Sequence, residues 1–220
     1  MRMQHLLTLS FLATFYSSAH AAIITTNGAS DLLIAGPGVG YTPDFFDDTT
    51  LVVHGWDEVQ SFALTSNIDV DITTPGTYSS VGSLTPGILL AGTVVNSHTL
   101  YFDPVGGSAV AGFQFDGTII GVIVQDALSP ADRFLASDFL IPGSVPFGNI
   151  PGAHFAARGV ELGNNTDSVQ VFANAIRVDL DAGSPGDQIR VLTTVVPEPA
   201  TLCVTALSLL AMRRRRVSRK

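Results

Sequence analysis

The sequence predicts an all-β fold, a single β-sandwich of jelly-roll type carrying one short helix. Three observations predict it. Twenty-one glycines and twelve prolines punctuate the chain, and the runs between them are short and fairly evenly spaced, as in sandwiches and barrels. Several runs alternate apolar and polar residues, as a sheet with one buried face requires. No internal repeat and no long helix is legible between residues 22 and 196.

Taken in order, Ile23–Thr26 and Leu32–Ala35 are short apolar runs, broken by Gly36-Pro37-Gly38. Asp44, Asp47 and Asp48 surround Phe45 and Phe46 in a loop. Leu51–His54 reads as a strand with Trp56 just past Gly55, and Val59–Leu64 follows. Ile68, Val70 and Ile72 alternate with Asp69, Asp71 and Thr73, which puts both carboxylates on one face of a strand. Pro75-Gly76 and Pro86-Gly87 are turns. Ile88–Val95 and His98–Phe102 read as a hairpin across Asn96-Ser97. A strand from Ala109 places Phe113 and Phe115 on one face. Asp116-Gly117 then predicts a tight hairpin into Thr118–Val124, whose apolar run fits a strand covered on both faces.

Ser129-Pro130-Ala131-Asp132 predicts a brief helix to Ala136, with Ser129 as its N-cap and Pro130 in the first turn. Pro142–Asn165 is a long irregular stretch of the kind that often carries function. Ser168–Ala173 and Ala175–Asp181 form an alternating strand pair, Gly183–Gly186 turns the chain, and Asp187–Val195 is the last strand.

Both ends carry different signals. Arg2, the apolar run Leu6–Phe15 and the small residues of Ala19-His20-Ala21 predict a secretory signal peptide over residues 1–21. At the other end Pro197-Glu198-Pro199 fixes an extended segment without two of its amide donors. The apolar run 200–212 follows, then Arg213, Arg214, Arg215 and Arg216 within a basic tail to residue 220. As a helix the run spans about 20 Å against a hydrocarbon core of about 30 Å. It is a short transmembrane helix, aided by snorkelling arginines that stay on the cytoplasmic side. The domain between the signals runs from residue 22 to 196.

The order of proline-framed tripeptide, apolar run and arginine block resembles the PEP-CTERM sorting signal of bacterial exported proteins. Pro197, Glu198 and Pro199 match its motif, and Arg213–Arg216 its basic end. The resemblance is confined to residues 197–220. It implies recognition by an exosortase, a membrane-embedded transpeptidase that cleaves near the tripeptide. Signal peptidase and exosortase are then the processing partners. The inner membrane is the location before cleavage, and the cell surface or exopolysaccharide matrix the destination.

The formal net charge is −8, but the asymmetry inside the domain is larger. Only Arg133, Arg158, Arg177 and Arg190 are basic between residues 22 and 196, whereas every acid but Glu198 lies there. Such a surface excludes nucleic acid as a partner and is compatible with Ca²⁺ or with neutral sugars. The one cysteine, Cys203, lies in the tail, so the domain can form neither a disulfide nor a thiolate metal site. His54, His98 and His154 lack the i, i+2 or i, i+4 spacing of zinc ligands.

Two groups of residues are candidates for binding. Trp56 and Tyr101, with Tyr41 and Tyr78, could stack on sugar rings, and Arg158 and Glu161 mark the long loop as a second contact region. Asp44, Asp47, Asp48, Asp69 and Asp71 are the candidate Ca²⁺ ligands, although no EF-hand spacing is present. No catalytic residue can be assigned and no cofactor is required. The expectation is a non-enzymatic matrix or adhesion protein, with carbohydrate as its candidate ligand. The alternative is an exported hydrolase of matrix polysaccharide, for which Glu58 and Glu161 are the domain's only glutamates.

Overall fold

The computed structural model describes residues 22–33, 50–125, 133–141, 159–163, 167–182 and 186–196. They are mostly β. In chain order the strands are β1 (Ile23–Gly28), β2 (Ser30–Leu32), β3 (Val53–Asp57), β4 (Phe62–Ala63), β5 (Ile68–Val70), β6 (Gly76–Tyr78), β7 (Gly87–Leu89), β8 (Val94–Phe102), β9 (Gly107–Phe115), β10 (Ile119–Ile123), β11 (Ser168–Val171), β12 (Ala175–Ala182) and β13 (Asp187–Thr194). One short helix, α1 (Arg133–Ser137), runs into a 3-10 turn over Asp138–Leu140. Ser129–Asp132, predicted to start this helix, lie outside the described residues.

Five strands form one sheet in the order β1-β9-β12-β11-β6, and a second sheet runs β10-β13-β8-β3-β2 with β4 also on β8. A small ribbon pairs β5 with β7. Neighbours are antiparallel except β2 and β3. Neither sheet closes into a barrel.

The main core lies between the two sheets. Alternation in β12 turns Ile176, Val178, Leu180 and Ala182 inward and leaves Arg177 and Asp181 exposed. Phe113 and Phe115 of β9 meet Leu100 and Phe102 of β8, and Ile189 and Val191 of β13, in the same cluster. The six-stranded sheet is buried on its other face too. There Val95, Ile123 and Leu192 pack with Ile68 and Val70 of the ribbon and with Phe134 and Leu140 of the helical turn. This double cover explains why β13 is buried along nearly its whole length and why the run around β10 is apolar.

Three expectations are corrected. Asn96-Ser97 is not a turn: β8 runs straight through it, and the chain reverses earlier at Gly92, whose φ is 85°. The two turn-like side chains serve inside the fold instead. Asn96 Oδ1 accepts from the Ser61 N–H at 2.7 Å, and the Ser97 hydroxyl donates to Glu58. Second, Asp116-Gly117 turns the chain between sheets, because β9 belongs to the five-stranded sheet and β10 pairs with β13 in the other. Third, Asp69 and Asp71 do not share a face. β5 ends at Val70, so Asp69 is exposed and Asp71 is fully buried.

The pair β11–β12 and the final strand stand as expected. No helix among the described residues is long and apolar enough to cross a membrane. The predicted signal peptide, the tripeptide Pro197-Glu198-Pro199, the 200–212 segment and Arg213–Arg216 lie outside the described residues.

Candidate functional site

The outer face of the five-stranded sheet carries a groove of about 190 Å³. Cross-strand register sets its composition. Asn27, Gly112 and Arg177 stand in one row across β1, β9 and β12, and Thr25, Gln114 and Ala175 stand in the next. Phe172, just past β11 and well exposed, closes one side. Gly112 is the floor: a Cβ there would lie 2.3 Å from Asn27 Oδ1. The missing side chain leaves a notch between an amide and a guanidinium. Thr25 Oγ1 donates to Gln114 Oε1 at 3.2 Å, which orients that amide. Among the described residues no carboxylate pairs with Arg177. The groove thus offers amide, hydroxyl and guanidinium groups beside one aromatic ring.

The residues expected to stack on sugar do something else. Trp56 and Tyr101 are each 3% exposed and form a small buried cluster with Leu33 and Ile141. Neither presents a ring face to solvent, because both side chains turn to the covered side of the six-stranded sheet. Tyr78 is buried too, its hydroxyl donating to the Thr74 carbonyl at 2.6 Å. Tyr41 and Arg158 lie outside the described residues.

The expected Ca²⁺ ligands do not assemble among the described residues. Asp71 Oδ2 accepts from the backbone N–H groups of Val124 (2.8 Å) and Gln125 (2.9 Å), while Oδ1 takes the Arg133 guanidinium. Its lone pairs are committed to holding β10 and α1 against the ribbon. Asp44, Asp47 and Asp48 lie outside the described residues, as does His154.

A different acidic cluster forms beside the starts of β11 and β13. Glu161 (loop), Asp167 (before β11) and Asp187 (start of β13) place carboxylate oxygens within 4.8 Å of one another. Asp167 is fixed by backbone donors, the N–H of Asp181 at 2.8 Å and that of Glu161 at 3.2 Å. Burial raises its pKa, and the charges of Glu161 and Asp181 add to the rise. Asp187 is 3% exposed. Burial first, then the charges of Asp167, Glu161, Asp181 and Asp103, push its carboxyl up to about 9. Gly186 permits this placement, since a Cβ there would sit 2.1 Å from the Phe102 carbonyl oxygen. Of the sequence-predicted contact residues, only Glu161 belongs to this cluster.

The remaining polar interior is structural. Glu58 and Arg190 form a fully buried pair, Arg190 Nε donating to Oε2 at 2.9 Å and Nη2 to Oε1 at 3.1 Å. Thr99 and Ser97 hydroxyls donate to the same carboxylate, and Arg190 also donates to Ser137 and lies over the Phe134 ring. Burial pushes the Glu58 carboxyl up, but the Arg190 charge and these hydrogen bonds outweigh it and hold it below its ordinary value. With Glu58 locked in this way, it cannot serve as one of two carboxylates flanking a sugar.

His98 makes the arrangement of a nucleophile relay: Nδ1 lies 2.6 Å from Asp57 Oδ1 and Nε2 lies 3.1 Å from the Thr193 hydroxyl. Thr193 and His98 are both 0% exposed, however, and His98 packs on the Phe115 ring at 4.7 Å. A nucleophile must reach its substrate, and this hydroxyl faces the core. The trio therefore satisfies a buried imidazole.

Neither the groove nor the acidic cluster is plainly marked in the sequence. The groove's one sign was Gly112 inside a strand, a mark of close approach. The acids come from positions 161, 167 and 187, with no spacing rule linking them. The visible hint was Asp181 and Asp187 flanking a Gly/Pro turn. No family model matches the chain, and no curated protein or solved structure matches it either.

Proposed function

We propose that this chain is an exported matrix or adhesion protein whose domain, a jelly-roll sandwich, binds a neutral glycan on the outer face of its five-stranded sheet. The observation that carries the reading is the groove row Asn27–Gly112–Arg177 beside Thr25, Gln114 and Phe172. Planar amides and a guanidinium suit the paired hydroxyls of a sugar ring, and a ring such as Phe172 suits its apolar face. The acidic domain favours a neutral polymer over an anionic one. The resemblance of residues 197–220 to a PEP-CTERM signal supports delivery by exosortase to the surface or exopolysaccharide matrix, after signal peptidase removes residues 1–21.

A glycan array tests the binding. The full chain in detergent is expected to bind a subset of neutral glycans, and Arg177→Ala, at an exposed position, to lose at least about tenfold in affinity. A blank array, with and without Ca²⁺, or binding unchanged in R177A, would sink the reading.

A further inference from the structure

We infer that Glu161, Asp167 and Asp187 form a Ca²⁺ site that ties the loop before β11 to the start of β13. The geometry fits one ion. Oxygens sharing a Ca²⁺ at about 2.3–2.6 Å stand no more than roughly 5 Å apart, and one oxygen from each of these residues lies within 4.8 Å of the others. The donor set is oxygen only, which suits a hard cation. Glu161 is exposed, so the ion has a path from solvent.

A second observation points to a ligand independently of the clustering. Asp187 is almost completely buried, and its Oδ2 meets no hydrogen-bond donor among the described residues. Buried carboxylate oxygens are expensive to leave unpartnered. The described cations are engaged elsewhere: Arg133 with Asp71, Arg190 with Glu58, and Arg177 in the groove. A divalent ion satisfies this oxygen and removes the repulsion among the three acids together.

The bonded consequences are local. Glu161 lies in a segment already tied to β13 through the Gln188 N–H, which donates to the Gly159 carbonyl at 3.1 Å, and to the residue just past β10 through the Val160 N–H, which donates to the Val124 carbonyl at 2.8 Å. An ion across Glu161, Asp167 and Asp187 would lock this segment, the start of β11 and the start of β13 into one unit. The glycan groove lies elsewhere: Arg177 and Asp181 are separated by roughly 13 Å along β12.

The test uses the full chain in detergent, stripped with chelator and titrated calorimetrically with Ca²⁺ alone. One ion per chain is expected, with millimolar or tighter affinity and a rise in Tm that chelator reverses. Glu161→Gln and Asp187→Asn are each expected to weaken binding about tenfold or more, because affinity follows ligand charge. The first change is at an exposed position and leaves the fold intact even if the second does not. No response to Ca²⁺, an equal response to Mg²⁺, or unaltered binding in E161Q overturns the assignment.

Discussion

The buried pair of Glu58 and Arg190 ties stability to the ionisation of one carboxyl. Glu58 has its pKa held below the ordinary 4.5, so its contribution is present at neutral pH. It is lost as pH falls from about 4.5 through the lower folded-state value. Removing one partner strands the other charge in the interior. Glu58→Gln is expected to cost about 3–5 kcal/mol in urea denaturation, whereas Glu58→Met with Arg190→Met should recover most of that loss. A single variant as stable as the parent would refute the coupling. Asp187 acts in the opposite sense. Without metal its pKa rises from 3.8 to about 9, so stability is expected to fall as pH rises across that interval. Thermal melts in chelator between pH 5 and about 9 check the sign; a flat or rising profile would contradict it. Neither residue was legible as a partner beforehand, because residues 58 and 190 meet only through the pairing of β3 and β13 with β8.

At the scale of elements, legibility followed burial. β11 and β12 could be read directly, since Val169 and Val171, then Ile176, Val178 and Leu180, alternate onto one covered face. β8 was misread at Asn96-Ser97 because turn-forming residues there supply polar groups to a strand buried on both faces. β9 and β10 were misread as a hairpin because a tight Asp-Gly turn states only that the chain reverses, and not which sheet it joins. The two sheets approach closely at Gly55 of β3. A Cβ there would meet the Phe113 ring of β9 at 2.6 Å and the Ile23 side chain at 3.1 Å. Gly55→Ala is therefore expected to destabilise by about 1–3 kcal/mol. Phe113→Leu in the same chain should give a coupling energy of at least about 0.5 kcal/mol in a double-mutant cycle. Simple additivity would show that this approach is not what limits the two sheets.

For the whole molecule, the β class was legible in the sequence, while the groove and the acidic cluster arise only from the pairing of distant strands. The proposed sorting address has its own test. Replacing Pro197, Glu198 and Pro199 with alanine should leave the chain uncut in the inner membrane, read by mass spectrometry of its C-terminus. The same mature C-terminus in the variant would end the exosortase reading.

β13 stands between β10 and β8 in the six-stranded sheet, and only Val195 and Val196 separate it from the tripeptide. The strand just ahead of the tripeptide is thus a middle plank rather than an edge. A product truncated upstream of Asp187 would lack Arg190 for Glu58 and the ladder partner of two strands at once, leaving an open seam for proteases. Synthesis of β13 and closure of the six-stranded sheet are thereby made nearly the same event.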